Sequence, residues 1–178
     1  LIFFTSDNGP HAEGGADPIA MEAAAPYKGI KRDLYEGGIH VPMIVHWPER
    51  ITKPRVDDTP WAFADVLPTL ADLGGVDTLS VPRLQYNGVS IIPLLRDNPR
   101  EMPERLFYWV FGKQAGDPNS GVVGTIRKAA RKGQWKAVQY GQENPVELYN
   151  LELDPGESSD LAAEFPEIHQ EFVELFSR

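Results

Sequence analysis

The sequence has 178 residues, 42% of them hydrophobic, enough for one substantial core or two small ones, and its composition excludes a disordered or fibrous chain. Seventeen basic residues against 26 acidic give a net charge of −9, with no basic block beside an aromatic platform. Nucleic acid is therefore not an expected partner, and an anionic substrate would need a local positive site. The absence of cysteine excludes disulfides, thiolate metal sites and a cysteine nucleophile within these residues, and no apolar run approaches the roughly 20 residues that span a bilayer.

The chain opens without methionine on Leu1-Ile2-Phe3-Phe4, with no visible signal peptide, as a sequence cut within a domain would. The expectation is the C-terminal part of a longer protein. Leu1 to Thr5 is apolar on both faces, as in a central strand covered by helices on each side. It runs into Ser6-Asp7-Asn8-Gly9-Pro10. Asn8-Gly9 suits a hairpin turn, but no returning strand follows. The other reading is that Asp7 and Asn8 offer oxygens to a hard cation, Ca²⁺ ahead of Mg²⁺, with further ligands from elsewhere. Residues 11–30 read as an irregular loop rich in Gly, Ala and Pro, long enough to be functional.

Gly37-Gly38 lets the backbone turn or approach something closely, and Ile39 to Pro48 reads as a second buried strand. Lys31, in a glycine-flanked loop, is either a solvated charge or an oxyanion contact. A helix is expected between Val56 and Gly75, with Thr59 as N-cap, Pro60 at the first position, Pro68 as a kink or division and Gly74-Gly75 as the stop. Asp65 reads as a second N-cap or a solvated residue rather than a ligand. Val76 to Pro103 is loop-rich, with a turn at Asn87-Gly88 and a domain boundary in the charged, proline-bearing run from Arg96 to Pro103.

Beyond the boundary, Leu106 to Phe111 reads as a strand. Thr125 to Ala130 and Trp135 to Tyr140 read as a hairpin, Glu147 to Leu151 as a fourth strand, and Asp154-Pro155-Gly156 as a turn. The tail, with Pro166 at its start and Ile168, Phe172, Leu175 and Phe176 on one stripe, is an amphipathic helix. The basic cluster Arg127, Lys128, Arg131 and Lys132 reads as a solvated hairpin face ahead of a substrate contact, and the tryptophans as core.

Several of these stretches together resemble the sulfatase family. Thr5 to Pro10 is similar to its calcium-binding strand end, and Lys28-Gly29-Ile30-Lys31 through Pro42 to its sulfate-lysine loop. Asp65-Val66-Leu67-Pro68-Thr69-Leu70, Gly88-Val89-Ser90, Gly133-Gln134-Trp135-Lys136 and Glu147 through Glu157 follow in the family's order. The resemblance implies an α/β fold: residues 1–100 as the C-terminal part of an alkaline-phosphatase-like catalytic sandwich, and 101–178 as a small antiparallel sheet backed by a helix. It implies that Asp7 and Asn8 ligate Ca²⁺ and that Lys31 binds a sulfate oxygen, with His11 a candidate substrate contact. His40 stands where the family usually has Arg, exchanging a fixed charge for a titratable one.

By the same resemblance the complete protein is a sulfuric ester hydrolase acting on a sulfated small molecule or glycan, exported to the periplasm or beyond the cell. Its nucleophile would be a formylglycine made from Cys or Ser in a Cys/Ser-x-Pro/Ala-x-Arg motif that these residues lack, so this chain alone is expected to be inactive. The alternatives are a phosphoester or phosphonate hydrolase of the same superfamily, or a non-catalytic binder of sulfated glycans.

Overall fold

The apolar run at the start forms strand β1 (Ile2–Thr5), which pairs with β2 (Met43–His46) in a two-stranded sheet. The computed structural model describes residues 1–76, 87–97, 99–100, 102–112 and 126–178. The chain divides into two compact units, 1–4 with 43–103 and 5–42 with 104–178. The second unit joins the loop after β1 to the C-terminal sheet, a grouping that a single break near residue 100 does not contain.

In the first unit the strands alternate. Phe3 and Val45 pack on a core of Ile91, Leu94 and Leu95, with Trp47, Ile51, Trp61 and Met102 around it, while Ile2, Phe4 and Ile44 are exposed. The expectation of burial on both faces is thus met on one face only, since no described residue covers the other. The second strand is shorter than Ile39 to Pro48, because Glu36–Ile39 closes a short helix, α1. His40 leaves it in an extended conformation with its N–H on the Glu36 carbonyl, and Pro42 bars Val41 from continuing the helix.

The expected long helix begins later than Thr59: a 3-10 turn at Phe63–Asp65 leads into α2 (Val66–Leu73). Pro68 neither kinks nor divides it, because it falls in the first turn, where a backbone N–H has no intrahelical acceptor. Gly75 at φ 67° closes the helix, with Val76 N–H on Ala71 O (2.9 Å) and its own N–H on Asp72 O (3.1 Å). Asp65 is fully buried rather than solvated. Its carboxylate accepts from Ala62 N–H (2.9 Å) and Val89 N–H (2.8 Å), which ties the start of the helix to the Gly88-Val89-Ser90 segment. Gly88 fits there because a Cβ would lie 2.0 Å from the Ala64 carbonyl. Thr69 completes the join, donating to Asp65 O and accepting from Ile91 N–H. Of the loop expected from Val76 to Pro103, residues 77–86, 98 and 101 lie outside the described residues, as does Thr125 at the start of the expected hairpin.

The second unit carries the antiparallel sheet β3 (Leu106–Phe111), β4 (Arg127–Lys132), β5 (Trp135–Tyr140) and β6 (Glu147–Asn150), in that order, backed by α3 (Pro166–Phe176). Gly133-Gln134 makes the β4–β5 turn, with Gly133 at φ 57°. One face places Ala130, Ala137 and Leu148 on Phe172 and Phe176 of α3, and the other places Ala129, Val138 and Tyr149 on Leu34, Tyr35 and Ile39. Both faces of the sheet's centre are therefore covered, which corrects the reading of a solvated face for Arg127, Lys128 and Arg131, while Lys132 stays exposed. Strand alternation sends Arg127 and Arg131 to the loop side, where they meet Asp33 and Glu36. It sends Lys128 and Lys132 to the helix side, where they meet the Phe176 carbonyl and Glu171.

Candidate active site

The sequence Gly37-Gly38 is buried because carbonyls crowd both glycines. A Cβ on Gly37 would lie 2.2 Å from Gly29 O, and one on Gly38 2.2 Å from Asp33 O. Gly9 presses on the same turn from the other side, its would-be Cβ 1.9 Å from Gly37 O. Three backbone hydrogen bonds register this contact: Gly9 N–H to Gly38 O (3.0 Å), Gly37 N–H to Lys28 O (2.7 Å) and Lys31 N–H to Pro10 O (2.9 Å). The strand-end loop that carries Asp7 and Asn8 and the loop that carries Lys31 are thus locked to one another through glycine.

Within that frame the side chains of Asp7, Asn8 and Lys31 make no hydrogen bond or ion pair among the described residues. Asp7 is exposed, and Asn8 and Lys31 are half-buried. Ser6 Oγ donates to the Asn8 carbonyl (2.8 Å) and Thr5 Oγ1 to Pro42 O (2.8 Å), which shapes the loop without occupying those side chains. The donor pair is a carboxylate and an amide oxygen, both hard, as Ca²⁺ or Mg²⁺ requires. No group of three or more His, Cys, Asp or Glu side chains able to hold a metal occurs among the described residues, so the pair fits only part of a coordination shell. Half-buried His11 accepts at Nδ1 from Glu13 N–H (3.1 Å), which leaves Nε2 to carry the proton. The Glu13 carboxylate at 3.5 Å from Nδ1 is the weaker contact, and the shorter backbone bond sets the tautomer.

Beneath the glycine turn lies a charge network. The fully buried Lys136 ammonium sits 2.8 Å from Glu36 Oε1 and 2.8 Å from Glu157 Oε1. Glu157 Oε2 accepts Glu36 N–H at 2.6 Å, and Glu36 Oε2 meets His40 Nδ1 (2.9 Å) and Arg131 Nη1 (3.6 Å). The Lys136 to Glu157 Oε1 contact is an ion pair by distance without hydrogen-bond alignment. Burial pushes the Glu36 carboxyl up, but the His40 hydrogen bond and the charges of Lys136 and Arg131 outweigh it and hold the group at about 2. Burial wins at Glu157, which is raised against the pull of the same lysine. His40 also stacks on Tyr27, ring centroids 4.4 Å apart.

A second anchor holds the Lys28 end of the loop. The Lys28 ammonium lies 3.9 Å over the Tyr35 ring and 5.3 Å from that of Tyr149. Both phenols donate to Glu147 Oε2, at 2.6 and 2.7 Å, and burial together with that carboxylate keeps them protonated far above the usual phenol range. Sequence reasoning passed over Glu36, Lys136, Glu147 and Glu157. The available signal was Lys136, a charge on the same strand face as Val138 and flanked by the apolar residues Trp135 and Ala137.

Glycine-locked loops thus present two hard oxygen donors and a lysine whose side chains make no hydrogen bond or ion pair among the described residues. The sulfatase family profile matches residues 1–76. Arylsulfatase K of Gallus gallus is 32% identical over 175 residues, covering 96% of this chain and 29% of that protein. An N-acetylgalactosamine-6-O-sulfatase of Bacteroides thetaiotaomicron is 29% identical over 197 residues, covering 98% and 35%. The crystal structure of Ps i-CgsB in complex with k-i-k-neocarrahexaose matches at a TM-score of 0.75 and 25% identity, over 98% of this chain and 35% of that one. The chain belongs to the sulfatase family and has its alkaline-phosphatase-like α/β fold. It spans about a third of the length of the curated relatives it matches.

Proposed function

We propose that this chain is the part of a sulfuric ester hydrolase that supplies a calcium ligand pair, Asp7 and Asn8, and a sulfate-binding lysine, Lys31. The observation that carries the reading is the lock between their two loops, which brings together three polar side chains that the described residues leave without partners. Ca²⁺ completed by further oxygens from the rest of the polypeptide would supply positive charge beside the sulfuryl group. Asp7 and Asn8 hold that charge in place, and Lys31 donates to a sulfuryl oxygen as negative charge grows during S–O cleavage. His11, whose Nδ1 accepts from Glu13 N–H, keeps Nε2 as a donor for a substrate contact in this reading. The formylglycine nucleophile belongs to the remainder of the polypeptide. A sulfated glycan is the favoured substrate class, supported by the relatives that act on or bind sugars. Export rests on the family resemblance, and no described helix is long and apolar enough to cross a membrane.

The test uses the full polypeptide carrying this chain, with Lys31→Ala assayed on an aryl sulfate and the matching aryl phosphate. The lysine side chain makes no hydrogen bond or ion pair among the described residues, so the variant should fold as the wild type does while sulfate ester turnover falls by about 10²–10³. Unchanged turnover would remove Lys31 from the site. A wild-type protein that hydrolyses only the phosphate would replace the sulfatase reading with a phosphoesterase.

A further inference from the structure

The glycine turn that locks the two loops does not stand alone: it is the continuation of Glu36, and Glu36 is gripped from the C-terminal sheet. Glu157 is fully buried on a turn held by Asp154, whose carboxylate accepts from Ser158 N–H (2.7 Å) and Ser159 N–H (2.9 Å). Its backbone adopts φ 51°, a left-handed conformation that a side chain disfavours and that packing here maintains. This turn aims its carboxylate at Glu36 N–H, at the first residue of α1. Lys136 reaches the same place from near the start of β5, opposite Arg131 on β4 and Tyr149 on β6, so its position is fixed by strand register on both sides.

We infer that Glu157 and Lys136 are positioning residues for the candidate metal and oxyanion site, setting through Glu36-Gly37-Gly38 the spacing between Asp7-Asn8 and Lys31. The path is short and made of hard contacts. Glu157 and Lys136 fix the N–H and the carboxylate of Glu36. Gly37 then fixes Lys28 O, Gly38 O fixes Gly9 N–H, and Pro10 O fixes Lys31 N–H. Because each glycine meets a carbonyl with no room for a methyl group, a shift of the turn moves both loops with it. A buried, charge-balanced network suits this task, since its geometry tolerates little drift.

This inference rests on the sulfatase reading of the site, so its test reads binding as well as turnover. The full polypeptide is titrated with Ca²⁺ and with inorganic sulfate by calorimetry, and folding is followed by circular dichroism. Glu157→Gln keeps an acceptor for Glu36 N–H and removes the charge facing Lys136. The folded variant should bind Ca²⁺ about 10- to 100-fold more weakly than wild type, as loss of an orienting partner does at other metal sites. The double variant Lys136→Met with Glu157→Gln removes that buried pair together, leaving Glu36 with His40 and Arg131, and it serves if the single variant does not fold. It should show the same loss. A role confined to stability would lower the melting temperature and leave both affinities untouched in the folded protein, and that result overturns the inference. A wild-type polypeptide that binds neither probe would overturn the site reading itself, and the positioning role with it.

Discussion

Asp65 and Glu157 are both fully buried carboxylates that tie distant segments together, one in each unit, and both accept from backbone N–H groups. Asp65 accepts from the N–H groups of Ala62 and Val89, which join the start of α2 to the Gly88-Val89-Ser90 segment. Glu157 shares a buried ammonium with Glu36, so removing one member leaves uncompensated charge. Each join is closed by glycine against a carbonyl, Gly88 on Ala64 and Gly9 on Gly37. The family motifs therefore divide by task. The stretch from Asp65 to Leu70 with Gly88-Val89-Ser90 is a structural clasp, whereas the Glu36-Gly37-Gly38 turn holds the loops of Asp7, Asn8 and Lys31, whose side chains make no hydrogen bond or ion pair among the described residues.

The largest effect is expected from Gly9→Ala. Its methyl group would overlap the Gly37 carbonyl, and neither backbone has freedom to yield, so a loss on the order of 5 kcal/mol should appear in denaturant unfolding of the full polypeptide. A loss below about 1 kcal/mol would show that the two loops are not locked. A smaller effect depends on pH, and it differs in sign between the two buried glutamates of the second unit. Glu36 is held at about 2 against an ordinary 4.5, so its stabilisation is complete above the ordinary value and disappears as pH falls toward 2. The shift corresponds to about 3 kcal/mol, and Glu36→Gln should flatten the acid limb of a stability profile over that window. Glu157, being raised, has the opposite sign: its contribution is present below the ordinary carboxylate range and is lost as pH climbs through the elevated value. The smallest effect is expected from Asp65→Ala, which frees two backbone amides and should cost about 2 kcal/mol without changing Ca²⁺ affinity. Altered metal binding in that variant would mean that the clasp also serves the site.

Much of the second unit's sheet could be read from the sequence, because alternation and turn residues are local signals. Leu106 to Phe111 and the helix begun by Pro166 lie where those signals put them, while the hairpin expected around Arg131-Lys132-Gly133-Gln134 turns more tightly, at Gly133-Gln134, with Arg131 and Lys132 still in the strand. The length of β2 could not be read this way, since the contacts that hold Glu36 at the start of α1 come from Glu157 and Lys136, far away in sequence. The same limit applies to the basic cluster, whose four cations look solvated until register reveals a carbonyl or carboxylate opposite each one. For Asp7, Asn8 and Lys31, adjacency in sequence to glycine was the usable clue. Their mutual lock runs through backbone atoms of Gly9, Pro10 and Gly38, whose pairing no side-chain pattern encodes.

The alternation of arginine and lysine along β4 also gives the hairpin a means of rejecting misassembly. A slip of one residue in pairing turns each side chain of the strand to the opposite face. Arg127 and Arg131 would then point at α3, Lys128 and Lys132 at the loop, and Ala129 and Ala130 would exchange the layers they fill. Glu36 would lose its arginine while Glu171 lost its lysine, so the penalty would fall on both sides of the sheet at once. A mispaired β4 is thus marked by charge as well as by shape before the loops of the site can settle on it.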